Sequence, residues 1–270
     1  MSNSRFEIRK LEPEHVDWAR AILSLSNIFH SPAWSKIYHE NKTERLYYAY
    51  NASEYLVRHQ IESGWSYGVF DREYEFKQPS SSISSHGGAL YWDRNDKTAT
   101  SADLLAQMDF PLVSIALALD AAEPLDPARV ASLAETLPFY ARLMQRVDEL
   151  DDGSKRERRP VTGPRQVMLR NGTSTRPDYE GLGLMKKAAH LLMRDAAEAG
   201  FRAISIETLS DAVQHVWMNP PEPYRAVLVV QVRISECEEK EAVDVDGEKK
   251  SVVLHPDVPQ IATRIQVDLK

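Results

Sequence analysis

The sequence predicts a mixed α/β fold of the α+β kind, in which helices flank a sheet. Segments such as Phe6–Leu11 and Ile261–Leu269 alternate apolar and polar residues, which is typical of strands with one buried face. Runs such as Pro13–Leu25 and Leu184–Ala199 repeat apolar residues every three or four positions, which is typical of helices packed on one side. Both patterns recur along all 270 residues without a separating linker. We therefore expect a single domain over residues 1–270.

The first 92 residues are expected to form a strand, helices and a hairpin. Ser31 followed by Pro32 predicts a helix start, because serine caps the first amides and proline fits the first turn. The predicted elements are the strand Phe6–Leu11, the helices Pro13–Leu25, Ser31–Tyr38 and Ser53–Glu62, the hairpin strands Trp65–Phe70 and Tyr74–Phe76, the serine-rich loop Gln78–Ser85 and the strand Ala89–Trp92.

The remaining residues are expected to alternate strands and helices. Pro138 should kink or split the long helical pattern of Pro127–Leu150, because proline cannot continue a helical hydrogen-bond ladder. The other predicted elements are a buried strand at Phe110–Leu119, a strand ahead of Thr173, the helix from Leu184, the strand Phe201–Leu209, the helix Ser210–Trp217, the strand Ala226–Ile234, a hairpin about Asp246–Gly247 and a final strand Ile261–Leu269 that closes the sheet.

Composition restricts the class of protein. Forty acidic against 33 basic residues give a formal net charge of −7, which argues against a general nucleic-acid binder. The basic run Lys155–Arg159 is interpreted as a solvated loop, with a nucleic-acid or phosphate contact as the alternative. Cys237 is the sole cysteine, so neither an intrachain disulfide nor a cysteine-based metal site is expected. The lack of a signal-peptide pattern and of an 18-residue apolar run predicts a cytoplasmic protein without membrane contact.

A turn with two glycines precedes the helix that begins at Leu184. Gly181 and Gly183 lie between a strand pattern and this helix, and Gly200 follows as the expected helix stop. The first amides of a helix have no acceptor inside the helix, and the helix dipole favours negative charge at this end. The turn is therefore predicted to bind an anion.

The same stretch resembles the central motif of the GNAT acetyltransferase superfamily. The segment Pro-Asp-Tyr-Glu-Gly-Leu-Gly-Leu-Met, residues 177–185, is followed fifteen residues later by Gly200, and the resemblance covers residues 167–216. Two positions depart from the pattern: Glu180 replaces the usual Arg or Gln, and Met185 replaces Gly or Ala. A weaker resemblance to GNAT-like proteins of fungi extends over the first 120 residues. The resemblance implies a twisted, mostly antiparallel sheet with one parallel pair that splays apart. Residues 95–163 fit it poorly and are interpreted as an inserted helical lobe beside the substrate cleft.

The resemblance also implies a binding site for acetyl-CoA as co-substrate. Backbone amides of the turn would hold the pyrophosphate, and the strand before it would pair with the pantetheine arm through main-chain hydrogen bonds. Lys186 would add positive charge near the phosphates, or it would simply lie on an exposed helix face. The hydroxyls of Thr173, Ser174 and Thr175 would contact the arm, or they would form local hydrogen bonds at the end of the strand. The implied residues are Thr173, Ser174, Thr175, Gly181, Leu182, Gly183, Leu184, Met185 and Lys186.

The usual catalytic tyrosine of the superfamily has no counterpart here. Its position corresponds to Val216. His215 is the first substitute, because imidazole titrates near neutral pH, and a packed histidine is the alternative. Glu207 is considered as a general base or as a paired surface carboxylate, and Tyr224 as an acid or as a buried aromatic residue. Trp34, Tyr38, Tyr47 and Tyr48 lie where the family builds its acceptor wall, although their spacing favours core packing.

These observations predict an acetyl-CoA-dependent N-acetyltransferase that acts on a small amine. Whether the chain is an enzyme stays open because the tyrosine is missing. One alternative is a catalytically inactive acyl-CoA binder or sensor with the same fold. The other is different chemistry on a CoA thioester, such as decarboxylation. The sequence predicts no metal and leaves the oligomeric state undetermined.

Overall fold

The computed structural model describes residues 4–154, 161–237, 239–245, 248–254 and 257–270. Its strands follow the sequence patterns closely in the second half of the chain. They are β1 (Phe6–Lys10), β2 (Tyr67–Asp71), β3 (Ala89–Leu90), β4 (Met108–Asp109), β5 (Leu112–Asp120), β6 (Val167–Thr175), β7 (Ala203–Thr208), β8 (Arg225–Arg233), β9 (Glu239–Val245), β10 (Glu248–Leu254) and β11 (Ile261–Asp268).

Seven of these strands form one sheet in the order β1-β2-β5-β6-β7-β11-β8. Neighbouring strands run antiparallel except β6 and β7, which are parallel. This arrangement confirms the predicted mixed, mostly antiparallel sheet with one parallel pair. β9 pairs with β10 and β3 with β4 as separate two-stranded sheets. The predicted hairpin turn at Asp246–Gly247 lies outside the described residues.

The parallel pair separates partway along its length. β6 and β7 are paired from Val167 opposite Ala203 to Arg170 opposite Ile206. Beyond this last pair, β6 continues to Thr175 on β5 alone. We call the last pair, Arg170 and Ile206, the junction, and the gap beyond it the β6–β7 opening. A mixed sheet that parts here exposes strand-edge groups inside the domain.

Helices cover both faces of the sheet. They are α1 (Val16–Leu25), α2 (Trp34–Ile37), α3 (Lys42–Ala52), α4 (Glu54–Glu62), α5 (Pro79–Ser82), α6 (Ser101–Ala106), α7 (Pro127–Thr136), α8 (Pro138–Leu150), α9 (Leu184–Glu198) and α10 (Asp211–Met218). α1, α3 and α4 pack on one face of β5, through Ile115 and Leu117. α9 and α10 pack on the other face, against Ile204, Ile206 and Ile265. α8 extends the α1 layer over β11 and β8.

The structure differs from the predictions in several places. The predicted hairpin partner Tyr74–Phe76 is not a strand, because β1 and β5 already occupy both edges of β2. The Tyr74 hydroxyl instead contacts Asp109 Oδ1 at 3.1 Å. The helix α3 was not predicted, and the serine-rich loop contains the short α5. β11 does not close the sheet, since it lies between β7 and β8.

Pro138 splits the long helical pattern as predicted, and α8 begins at this residue. The range 95–163, interpreted as an inserted lobe, contains β5, which lies in the middle of the main sheet. The helices that the range adds beside the sheet are α7 and α8. The extent of the lobe stays a prediction.

Candidate functional site

The turn before α9 leaves a continuous run of amides without acceptors. Gly181 and Gly183 adopt left-handed backbone conformations, with φ of 77° and 68°, which glycine tolerates best. None of the six main-chain N–H groups from Gly181 to Lys186 finds an acceptor among the described residues. We call these six groups the amide run. It lies at the start of α9, where the helix dipole adds a partial positive charge.

Side chains leave this turn uncovered. A Cβ built on Gly181 or Gly183 meets no heavy atom within 4 Å. Leu182 is 48% exposed and Glu180 is also exposed, whereas Met185 packs into the core beneath α9. Glu180 and Met185, the two positions that depart from the family pattern, therefore do not fill the turn before α9.

His30 is a neighbour of this turn that the sequence patterns missed. Its Nε2 lies 2.7 Å from the Ser101 hydroxyl. Burial lowers the pKa of His30, and the nearby charge of Glu180 opposes this shift. His30 is the last residue of the helical segment that follows α1. Its position near the turn depends on how that segment folds back over the sheet, so the sequence alone did not indicate it.

The edge of β6 faces the β6–β7 opening with alternate residues. The Arg176 amide donates to the Val113 carbonyl of β5 at 2.8 Å. Main-chain groups of an antiparallel strand alternate in direction, so Ser174 also faces β5 and Thr173 and Thr175 face the opening. Along one wall of the opening, Thr173 and Thr175 thus present free main-chain groups. They are two of the three residues predicted on this strand.

The hydroxyls of this segment are bonded locally. Thr173 Oγ1 accepts from Arg170 Nη2 at 2.6 Å, and Thr175 Oγ1 lies 2.8 Å from Ser114 Oγ. Ser174 is buried on the opposite face, and its carbonyl accepts from Ser114 Oγ at 3.2 Å. The backbone, rather than the hydroxyls, is therefore available to a ligand.

Glu207 is held in an ion-pair cluster. Its Oε1 lies 2.9 Å from Arg264 Nε. The same guanidinium also contacts Asp148 Oδ1 at 2.7 Å and Asp151 Oδ2 at 3.1 Å. Burial acts to lower the pKa of Arg264, but the carboxylates outweigh it and raise that pKa. The cluster joins α8 to β7 and β11 through the three carboxylate contacts of Arg264.

An aromatic group lies beside this cluster, and the sequence patterns missed its central member. Tyr140 of α8 packs edge-on against Trp34, with 6.0 Å between ring centroids. Burial, and then the charge of Glu207, raise the pKa of the Tyr140 hydroxyl. Trp34 is 2% exposed, and the Tyr38 hydroxyl accepts from the Phe139 amide at 2.8 Å, so both dock α2 on α8.

Tyr47 and Tyr48 do not contribute to this aromatic group. Tyr47 is 3% exposed and donates to the Asp93 carbonyl at 2.8 Å. Tyr48 is exposed and donates to Glu135. Core packing and surface bonding account for these two tyrosines.

The two remaining predicted catalytic residues lie around α10. His215 is exposed, and its side chain bonds no group in the described part of the chain. Tyr224 is half-buried and packs against the core beneath α9. Val216, at the position that resembles the family's tyrosine, is 7% exposed and belongs to the same core. The roles predicted for these side chains stay predictions.

The geometry defines a class of fold before any comparison. A mixed sheet parts at its single parallel pair, and a helix with a free amide run begins beside the gap. This is the fold of the GNAT acetyltransferases, as the sequence resemblance predicted.

Solved structures share this fold across almost the whole chain. The C-terminal condensation domain of Ebony, in complex with beta-alanyl-dopamine, has a TM-score of 0.55 at 16% identity, covering 97% of this chain and 98% of that chain. Putative arylalkylamine N-acetyltransferase 7 of the mosquito Aedes aegypti has a TM-score of 0.54 at 9% identity, covering 98% and 88%. An apo form of agmatine N-acetyltransferase has a TM-score of 0.51 at 12% identity, covering 98% and 100%. No protein-family profile and no curated sequence matches this chain. Identities this low show a common fold alone.

Two further classes of site were sought in the described ranges. No helix there has both the length and the apolar character needed to cross a bilayer. Within the same ranges, no three or more His, Cys, Asp and Glu side chains are grouped so that they could hold a metal ion.

Proposed function

We propose that this protein transfers an acyl group from a coenzyme A thioester to a small amine, with acetyl-CoA as the simplest donor. The observation that carries the proposal is the amide run beside the β6–β7 opening. Six unbonded N–H groups at a helix start form a site for a diphosphate. Lys186 and Lys187 follow at exposed positions and add positive charge.

The edge of β6 supports binding of an extended arm. The main-chain groups of Thr173 and Thr175 face the opening, so a chain of amides such as pantetheine can pair with them as a further strand would. This arm would run from the amide run toward the junction. The thioester end of the donor would then lie at the junction.

The acceptor amine would approach from the face that carries α1 and α8. Asp148, Asp151 and Glu207 place their carboxylates around Arg264 on this face, and the charge of Glu207 would favour the approach of a cationic amine. A free alkylammonium has a pKa of about 10.4, so a proton must leave before the nitrogen attacks. The amine nitrogen then bonds to the thioester carbonyl carbon, the C–S bond breaks, and the departing thiolate takes up a proton.

The reaction also needs groups that accept the amine proton and donate a proton to the thiolate. Glu207 is bonded to Arg264, so it acts on the amine through its charge unless that pair opens. His215 and Tyr224, at either end of the α10 region, are the remaining proposed proton carriers. Holding the amine and the thioester together contributes several kcal/mol in such reactions, so positioning supplies much of the rate.

A CoA binder that does not transfer the acyl group is the second proposed function. The observation in its favour is Val216, which packs in the core where the resemblance places a tyrosine. This alternative uses the same amide run and strand edge, so it shares the binding site and differs in turnover.

Two measurements separate these proposals. Calorimetry with CoA tests the shared site: micromolar binding is expected, and the absence of heat at millimolar CoA would refute both functions. Release of free thiol from acetyl-CoA with a panel of primary amines then tests transfer. Thiol release that requires an amine supports the transferase, whereas binding without release supports the binder. Release without any amine indicates hydrolysis and contradicts both.

A further inference from the structure

Arg170 is a buried cation without an anionic partner. Arg170 is 2% exposed, and no carboxylate of the described ranges contacts its guanidinium. Burial lowers the pKa of Arg170 to about 9, which still leaves the group protonated at neutral pH. The buried Arg176 differs, since it forms a two-point pair with Asp178 at 3.1 and 2.8 Å. A buried charge without a counter-charge is destabilising, so a bound anion would stabilise this group.

The hydrogen bonds of Arg170 leave one edge of its guanidinium free. Nη1 donates to the carbonyls of Leu117 and Gly172, and Nη2 donates to Thr173 Oγ1. Nε is buried and has no acceptor among the described residues. Arginine has five N–H donors, so Nε and the second hydrogen of Nη2 remain. Nε and Nη2 lie along one edge of a guanidinium, and this is the edge that binds the two oxygens of a carboxylate.

Trp217 supplies a second unsatisfied donor near this guanidinium. Trp217 is 0% exposed, and its Nε1 has no acceptor among the described residues. The carbon at the centre of the Arg170 guanidinium is 5.7 Å from the Trp217 ring centroid. Two unpaired buried donors in one place are uncommon in folded proteins, since most buried polar groups are bonded. Together they form a built site for an anion.

The site lies where the acyl group of the donor would end. Arg170 belongs to the junction, the last pair before the two strands diverge. An arm that pairs with Thr175 and then Thr173 runs down β6 toward this residue. Thr173, whose backbone would bind the arm, also accepts a hydrogen bond from Arg170. The anion site is thus at the closed end of the opening.

We propose that Arg170 and Trp217 bind a carboxylate carried by the acyl group, so that the preferred donor is an ω-carboxyacyl-CoA such as malonyl-CoA or succinyl-CoA. The proposal rests on the proposed coenzyme A site and narrows its donor class. A charged acyl group would satisfy Nε, Nη2 and the indole N–H at once. An acetyl group has no atom that can do so.

Calorimetry on the intact protein tests the donor class. The ligands are CoA, acetyl-CoA, malonyl-CoA and succinyl-CoA under one buffer condition. At least one carboxyacyl thioester is expected to bind about tenfold or more tightly than acetyl-CoA, as charge-assisted hydrogen bonds would require. Equal affinity for all three thioesters would overturn the proposal. If CoA itself does not bind, the coenzyme A site fails as well, so the two failures are distinguishable.

Matched variants assign the preference to these residues. Arg170→Met should reduce the preference for the carboxyacyl thioester over acetyl-CoA to about twofold or less. Trp217→Phe removes the N–H donor but keeps a ring and should reduce the preference partly. Trp65→Phe is the control, because Trp65 packs on Phe201 at 4.9 Å in a different part of the core. A preference that survives Arg170→Met would overturn the proposal; if that variant does not fold, Trp217→Phe against Trp65→Phe decides.

Discussion

Replacing Gly183 with alanine is expected to weaken coenzyme A binding in addition to a modest cost to the stability of the fold. Gly183 has a φ of 68°, and a Cβ built there meets no protein atom within 4 Å. The added methyl group therefore costs about 1–2 kcal/mol of backbone strain without a clash in the unliganded protein. It does, however, project beside the amide run, where it would keep phosphate oxygens away from the N–H groups.

Gly200→Ala is the matched control. Gly200 has a φ of 96°, and its added Cβ also meets nothing within 4 Å, but it lies at the far end of α9. Both variants should lower the melting temperature by about 3–6 °C, from the usual relation between stability and Tm for chains of this size. Only Gly183→Ala should weaken the binding of CoA. The affinity should fall by about 10- to 100-fold, as expected for the loss of one or two charge-assisted hydrogen bonds.

The assay is calorimetry with CoA, combined with thermal melts of the unliganded proteins. If Gly183→Ala and Gly200→Ala bind CoA equally well, the amide run does not contact the pyrophosphate, and the proposed site is wrong. A larger fall in Tm for Gly183→Ala than for its control would show instead that the turn has a structural role that the strain argument omits.

Two other predictions concern charged groups that hold the site together. Arg264→Met removes the cation that contacts Asp148, Asp151 and Glu207, in a cluster where the Asp151 side chain is 1% exposed. Stability should fall by about 3 kcal/mol, and an unchanged Tm would contradict this. Burial acts to raise the pKa of Asp71, but Arg5 and Tyr179 outweigh it and lower that pKa. The stability from Asp71 is therefore present above about pH 4 and lost as the pH falls through the lowered pKa. Urea unfolding should show that Asp71→Asn is destabilised at pH 7 and that its difference from the parent protein narrows as the pH falls below about 4. An equal difference at pH 7 and pH 3 would refute the assignment.

The central motif could be predicted from sequence because its determinants are local. Gly181, Gly183 and Gly200 act through their own backbone angles, and the helix between the last two has apolar residues at regular helical spacing. The strands of the C-terminal half were predicted for the same reason. The omitted α3 has a buried face of mixed residues, in which Tyr47 donates its hydroxyl hydrogen to the distant Asp93 carbonyl. The buried residues are Thr43, Leu46, Tyr47, Ala49 and Tyr50. The polar composition of α3 weakened the periodic signal.

The spacing of residues 177–200 thus predicted an anion-binding turn followed by a helix. Together with the strand pattern before it, this stretch also predicted the fold class. The partners of the site residues came from tertiary structure. Glu207 resembles a general base until Arg264, 57 residues further along the chain, is placed beside it. Arg170 is an ordinary strand residue in the sequence, and its burial against Trp217 appears only when α10 folds over the sheet. Charge state and hydrogen-bond satisfaction depend on which groups meet in space, and the linear order of the chain does not specify those meetings.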